Sequence, residues 1–299
     1  VSNPERVKTR QPSLVVLAGG MAKRYGGCKP LAPVGPRGEA IIDLTAGDAL
    51  RGGFGKLVLV LGPVTGPAIA YHVERCWPAS VEVAFAEQPV PLGTAHALAC
   101  ARPHLDEGSA FAVVNADDIY GERSFSLLAS HLSAGEGPAL VAFRLRNTVV
   151  SDAPVTRGTC VPHADGTLAR IDERRNVTRS SDGHFRADDG KEPTDLEPDT
   201  LVSVNLWGFE PEIWKEIDAA LEEHQSMAGS PDAPREVLLP EVVSAMVSRG
   251  QGGSDFALIR SEERCIGVTH PGDLAVVRAE VASMVARGAR PENPWSSTA

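Results

Sequence analysis

The sequence has no run approaching the ~20 consecutive apolar residues that a membrane-spanning helix needs, and its opening stretch VSNPERVKTRQP lacks the apolar centre of a signal peptide. These absences predict a cytoplasmic protein without a membrane partner. The five cysteines, Cys28, Cys76, Cys100, Cys160 and Cys265, lie far apart, with no CxxC spacing and no clustered histidines. Neither a zinc site nor a disulfide framework is indicated, and reduced thiols are expected. Positive charge is also scarce: 29 Lys and Arg stand against 39 Asp and Glu, for a formal net charge of -10. A surface coated by nucleic acid needs many cationic contacts to phosphate, so that partner is excluded. Two phosphate-binding spellings are missing as well, the GK[ST] of the P-loop and the G-x-G-x-x-G of dinucleotide folds. Any polyanionic ligand must then be small, met by locally concentrated cations, backbone N–H groups or a bound divalent ion. No internal repeat and no Ser–His or Cys–His relay is legible.

What is present reads as a soluble α/β protein. Of the 299 residues, 42% are hydrophobic and 23% charged, ordinary for a globular chain with a sizeable core. Short β-branched runs (LVVLA, KLVLVLG, VEVAFAE, AFAVVNADD, ALVAFRLR) alternate with stretches of helical spacing. That rhythm predicts a doubly wound, mixed but mostly parallel sheet with helices on both faces. It breaks after Asn147, where short strands and polar turns follow, and resumes with TLVSVNLWGF, a helix from Pro211, a strand DFALIR and a helix from about Gly272 to Arg287. We read a single domain over 1–299, with a core at about 11–146, an insertion at about 147–200 and a return to the core at about 201–288. The ends VSNPERVK and RPENPWSSTA are expected to fray.

Ligands of such sheets sit outside the carboxyl ends of the strands, where three stretches stand out. In LAGGMAKRYGGCKPLAPVG, Gly19 and Gly20 let the backbone approach a ligand closely, and Arg24 and Lys29 add charge. At an effective dielectric of 20, one cation ~4 Å from an anion contributes roughly 4 kcal/mol before desolvation. In EQPVPLGTAH, Gln88 offers a donor and an acceptor on one amide, which suits the edge of a base. In VVNADDIYG, a buried strand delivers Asp117 and Asp118, hard oxygen ligands of the kind Mg²⁺ shares with substrate phosphates.

The first of these stretches resembles the signature loop of the sugar-phosphate nucleotidyltransferases, the pyrophosphorylases that make nucleotide-activated sugars. Its short spacing from Arg24 to Lys29 is also similar to that of the guanylyltransferases of molybdenum-cofactor assembly. The resemblance implies a Rossmann-like, GT-A-like fold with a small β-rich sugar-binding lobe, and a chemistry needing NTP, a sugar 1-phosphate or cyclic polyol phosphate, and Mg²⁺. By the same resemblance Leu17, Ala18, Gly19 and Gly20 with Arg24 wrap the triphosphate, and Lys29 lies near the α-phosphate. Asp117 holds the metal, and Asp118 shapes the site or touches the sugar. Gln88, Gly93 and Thr94 bind the nucleotide base, favouring UTP or dTTP, with GTP next. Glu173, Arg174 and Asn205 hold the acceptor. His96 is read as a packing residue at a helix entry. Gly267 stands where several relatives place a second metal-binding Asp. A homo-oligomer is compatible with the sequence. The competing readings are a metal-dependent glycosyltransferase using NADD as its acidic motif, and a nucleotide-sugar sensor without chemistry.

Overall fold

A computed structural model describes residues 11–20, 26–180, 182–227, 236–249, 256–268 and 272–296. The chain alternates strand and helix through its first half. β1 (Ser13–Ala18) leads by way of a single 3-10 turn at Lys29–Leu31 to α1 (Ile41–Arg51), then come β2 (Lys56–Leu61), α2 (Gly66–Cys76), β3 (Glu82–Glu87) and α3 (Thr94–Ala101). After these follow β4 (Phe111–Asn115), the two-residue β5 (Asp118–Ile119), α4 (Glu122–Ala134) and β6 (Ala139–Arg144). The rhythm then changes to strands alone: β7 (Val155–Pro162), β8 (Leu168–Arg179), β9 (Phe185–Ala187), β10 (Asp195–Leu196) and β11 (Leu201–Phe209). α5 (Ile213–Ser226), α6 (Leu239–Arg249), β12 (Ala257–Ser261), β13 (Ile266–Gly267) and α7 (Asp273–Ala286) complete the described chain.

The central sheet runs β3-β2-β1-β4-β11-β6-β12. Its neighbours pair in parallel except at β11, which is antiparallel to both β4 and β6. Alternation along β1 explains the layers: Leu14, Val16 and Ala18 face the α1, α2 and α4 side, while Val15 faces the α3, α5 and α6 side. A strand buried on both faces needs such an unbroken apolar run.

β11 carries a second load. Its first half, at Val202 and Ser203, pairs with β7, from which β8, β9 and β10 extend as an antiparallel lobe with its own small core around Val177, Phe185 and Val202. Between Ser203 and Trp207 the register of β11 slips, and Asn205 takes φ 64 there. A positive φ of this kind is tolerated by Asn better than by most residues.

Two contacts of Asp43 tie the first two helices together. The Asp43 carboxylate accepts the Ala40 N–H at the start of α1, and its Oδ1 also meets His72 Nε2 at 2.8 Å and Trp77 Nε1 at 2.7 Å, so α2 is tied to α1. The expectation of a frayed C-terminal stretch is corrected. Arg290 is buried against Asp48, Arg51 donates to the Pro294 carbonyl, and Trp295 packs on Trp77 with ring centroids 5.2 Å apart. Ion pairing and aromatic burial hold a segment whose composition alone reads as a tail. Among the described residues no helix is long and apolar enough to cross a membrane.

Candidate active site

Parallel pairing brings four strand exits to one edge. Leu17 stands opposite Val60 and Asn115, and Leu61 opposite Glu87, so Gly19, Gly62, Gln88 and Ala116 leave the sheet side by side. Ala116 N donates to Leu17 O, and Gln88 N to Leu61 O, which continues the strand pairing one residue past each end. Gly19 and Gly62 lie so close that a Cβ on Gly62 would sit 2.6 Å from the Gly19 carbonyl. Glycine is required there by contact, whatever the loop binds.

The 3-10 turn at Lys29 brings its ammonium to 3.6 Å from Asp117 Oδ2, with side-chain exposures of 15% and 36%. A cation and a carboxylate thus face one another at the carboxyl end of β4, open to solvent. Asp117 and its neighbour are held from below by Tyr120. Its buried hydroxyl accepts from Asn115 N at 3.0 Å and donates to Val204 O at 3.1 Å. That hydroxyl therefore binds the end of β4 to the slipped segment of β11. Thr45 Oγ1 on α1 donates to Asp118 O at 2.7 Å. Burial, and then the Asp117 charge, push the Asp118 carboxyl up to about 6, opposed by Arg157, Asn115 and Lys29.

Beyond Asp117 a cavity of about 140 Å³ opens between β4, the segment after β6, β13 and α7. Asp118 Oδ2 accepts from Asn115 Nδ2 at 3.3 Å on its wall. Gly267 pairs with Asp118 across β5 and β13, and a Cβ at 267 would overlap the Asp118 carboxylate and approach Asp117 O to 2.7 Å. The space that a carboxylate at position 267 would need is therefore filled by Asp118. Asp273 opens α7 on the same wall, where its Oδ1 accepts from Ser151 Oγ at 2.8 Å. Arg157 enters from β7, fixed by Nε to Thr148 Oγ1 at 3.0 Å, Nη2 to Thr148 O at 2.5 Å and Nη1 to Thr156 O at 2.8 Å.

The donor set suits a hard divalent ion shared with substrate. Among the described residues no group of three or more His, Cys, Asp or Glu side chains forms a cage. Mg²⁺ commonly takes only one or two protein carboxylates and fills its shell with water and phosphate oxygens. The half-exposed Asp117 meets that requirement.

On the other side of the edge, Gln88 is buried, with 5% exposure, between Gly19 and Gly93. Its Nε2 donates to Gly93 O at 3.0 Å and lies 3.2 Å from His96 Nδ1. Burial holds the His96 imidazole below its ordinary pKa, which fits a neutral packing residue. Gly93 adopts φ 101 and ψ 177 at the N-terminus of α3, and a Cβ there would strike the Val237 backbone. Val237 O accepts from Ala95 N, and Thr94 Oγ1 accepts from Leu239 N at 2.8 Å. Gly93 and Thr94 are thus placed by the 236–239 segment, a support that the sequence reading missed.

The expected acceptor residues are only partly brought together. Arg174 is 3% exposed, and its guanidinium meets Asp189 at 2.9 and 3.1 Å and the carbonyls of Lys191 and Pro193. Those contacts tie its guanidinium into the lobe. Glu173 stands opposite Gly158, exposed and accepting from Arg175 Nε at 2.6 Å. Asn205 sits at the slip in β11, where its Oδ1 accepts from Trp207 Nε1 at 3.3 Å. Arg24 lies outside the described residues. Residues that sequence reasoning passed over are Arg157, Ser151 and Asp273. Their only signal was polarity directly after the strand ALVAFR and before the last helix.

A mostly parallel sheet with one antiparallel strand carries a glycine exit on its first strand and a Lys–Asp pair at the same edge. A family model described as nucleotidyl transferase matches residues 13–228, and the chain belongs to that family. It is 31% identical over 168 residues to the Bifunctional protein GlmU of Chromobacterium violaceum, a match covering 56% of this chain and 34% of that protein. The chain therefore spans about a third of the length of that relative. Its fold is also that of the inositol-1-phosphate CTP transferase from T. maritima, with a TM-score of 0.62 and 15% identity over 92% of this chain and 96% of the other. Family membership implies nucleotidyl transfer from a small nucleotide by a divalent-metal-using mechanism.

Proposed function

We propose that the chain transfers a nucleotidyl group from UTP or dTTP, with GTP next in preference, to a sugar 1-phosphate or similar cyclic polyol phosphate, giving an NDP-sugar. The observation that carries this reading is the 3.6 Å pair of Lys29 and Asp117 beside the glycine exit of β1. An oxygen of the acceptor phosphate attacks the α-phosphorus, the bond from that phosphorus to the β-bridging oxygen breaks, and pyrophosphate leaves with the electron pair. The attacking oxygen is already ionised, so no general base is required. Catalysis is then positioning and electrostatic stabilisation. Lys29 neutralises charge growing on the α-phosphate and leaving group, together with Arg24. Gly19 and Gly20 offer backbone to the triphosphate, while Gln88, Gly93 and Thr94 frame the base. Asp117 would hold Mg²⁺, whose role is to counter phosphate charge. Glu173 and Asn205 stand on the acceptor side.

The test crosses UTP, dTTP, GTP, CTP and ATP with a panel of sugar 1-phosphates and inositol 1-phosphate, reading pyrophosphate release. CTP and inositol 1-phosphate enter because the structural relative from T. maritima is named for them. Fastest turnover with UTP or dTTP supports the proposal. Release of a nucleoside diphosphate in place of pyrophosphate, or no turnover at all, refutes it.

A further inference from the structure

Arg157 has no role in the reading above, yet it is the cation that faces the cavity beside Asp118. A guanidinium carries five N–H donors, and three of them are engaged by Thr148 and Thr156. Two remain, one on each terminal nitrogen. Among the described residues no carboxylate lies within ion-pair distance of it, so the group is fixed in place without being neutralised. The Asp118 carboxylate lines the same cavity, and its one hydrogen-bond donor among the described residues is Asn115. The volume of about 140 Å³ is roughly ten times the ~10–15 Å³ that a single water needs. The lining residues thus hold unused donors on Arg157 and an unused acceptor on Asp118.

A hydroxyl is the group that satisfies both, because it accepts from one partner and donates to the other. A second phosphate or a carboxylate would suit Arg157 alone and meet repulsion from Asp117 and Asp118, both on the same cavity wall. We propose that this cavity takes the ring of the acceptor and that Arg157 is a specificity-determining residue, bridging a ring hydroxyl to Asp118. The acceptor is then a neutral polyhydroxylated ring whose single anionic group is the reacting phosphate. The inference rests on the transfer reading but concerns a different property of the same site.

The experiment measures equilibrium binding by calorimetry, with Mg²⁺ and a non-hydrolysable NTP present. The probes are a hexose 1-phosphate, its monodeoxy series, a cyclitol phosphate and a ring-carboxylate (uronic acid) 1-phosphate. Wild type is expected to bind a neutral acceptor, to bind the carboxylate analogue at least ~10-fold more weakly, and to lose about 10- to 100-fold for one particular deoxy position, the scale of one hydrogen bond to a charged group. Arg157→Gln is expected to erase that deoxy discrimination while NTP affinity stays unchanged. If the variant is too unstable to measure, Arg157→Lys and the wild-type deoxy series still decide. Retained discrimination in the variant, equal binding of the carboxylate analogue, or binding of no probe overturns the assignment. Binding of these acceptors combined with no pyrophosphate release from the natural NTPs in the turnover assay would instead refute the transfer reading and leave the pocket standing.

Discussion

Lys29 and Asp117 are partly exposed and 3.6 Å apart, and a loose, solvent-contacting ion pair of that kind contributes only ~0–1 kcal/mol to folding. The same two charges at a forming pentavalent phosphorus matter far more. Lys29→Ala should therefore leave the melting temperature nearly unchanged and lower turnover by at least ~10²-fold. Thermal melts and pyrophosphate release together check this, and a near-normal rate would remove Lys29 from the chemistry. Both residues were legible in sequence, Asp117 because it follows the apolar strand β4 closely and Lys29 because it sits in a glycine-rich loop with a family-like spelling after β1. Arg174 was not, since its partner Asp189 lies 15 residues away across turns whose course polar composition does not reveal. Arg157 escaped notice for a related reason: its wall is completed by Asp118, Gly267 and Asp273, which are distant in the chain.

Elements were read more readily than their directions. The runs that predict β1 to β4 and β6 fall on those strands: β1, β2, β4 and β6 are buried on both faces and demand unbroken apolar sequence, while β3, at the sheet edge, is half-buried. That β11 runs against its neighbours is invisible to periodicity, and α6 was passed over although Leu239, Val242 and Val243 have helical spacing. At the β3–α3 junction, Gly93 sits in a backbone region that is essentially glycine's own. Gly93→Ala should cost at least about 1–3 kcal/mol in denaturant unfolding and raise the KM for NTP, because the displaced Val237 segment supports Gln88's loop. An unchanged unfolding midpoint would contradict that account. The α1–α2 tie makes a pH prediction. The hydrogen bond to Asp43 outweighs burial and raises His72 above its ordinary value of 6.5. A group with a raised folded pKa contributes stability that is full below the unfolded pKa and lost as pH rises through the folded one. The urea midpoint should accordingly fall between about pH 6 and pH 8 in wild type, and by less in His72→Gln. Parallel midpoint curves for the two proteins would assign the slope elsewhere.

For the whole molecule, an acidic chain binding a polyanion must rely on a few cations and a shared metal. Saturation with Mg²⁺ and the preferred NTP at a hundred times Kd should stabilise the fold by about 2.7 kcal/mol. Excess chelator should remove most of that gain without lowering the melt of the free protein, since the proposed ion site at Asp117 carries none of the core. A chelator-sensitive melt without nucleotide would point to a structural ion instead. The slip at Asn205 also divides β11 into a half whose outer neighbour is β7 and a half whose outer neighbour is β4. Should the lobe peel open, Val202 and Ser203 would be stripped along one margin while Trp207 and Gly208 stayed clasped on both. Deuterium uptake along this one strand would then follow two clocks, fast before Asn205 and slow after it.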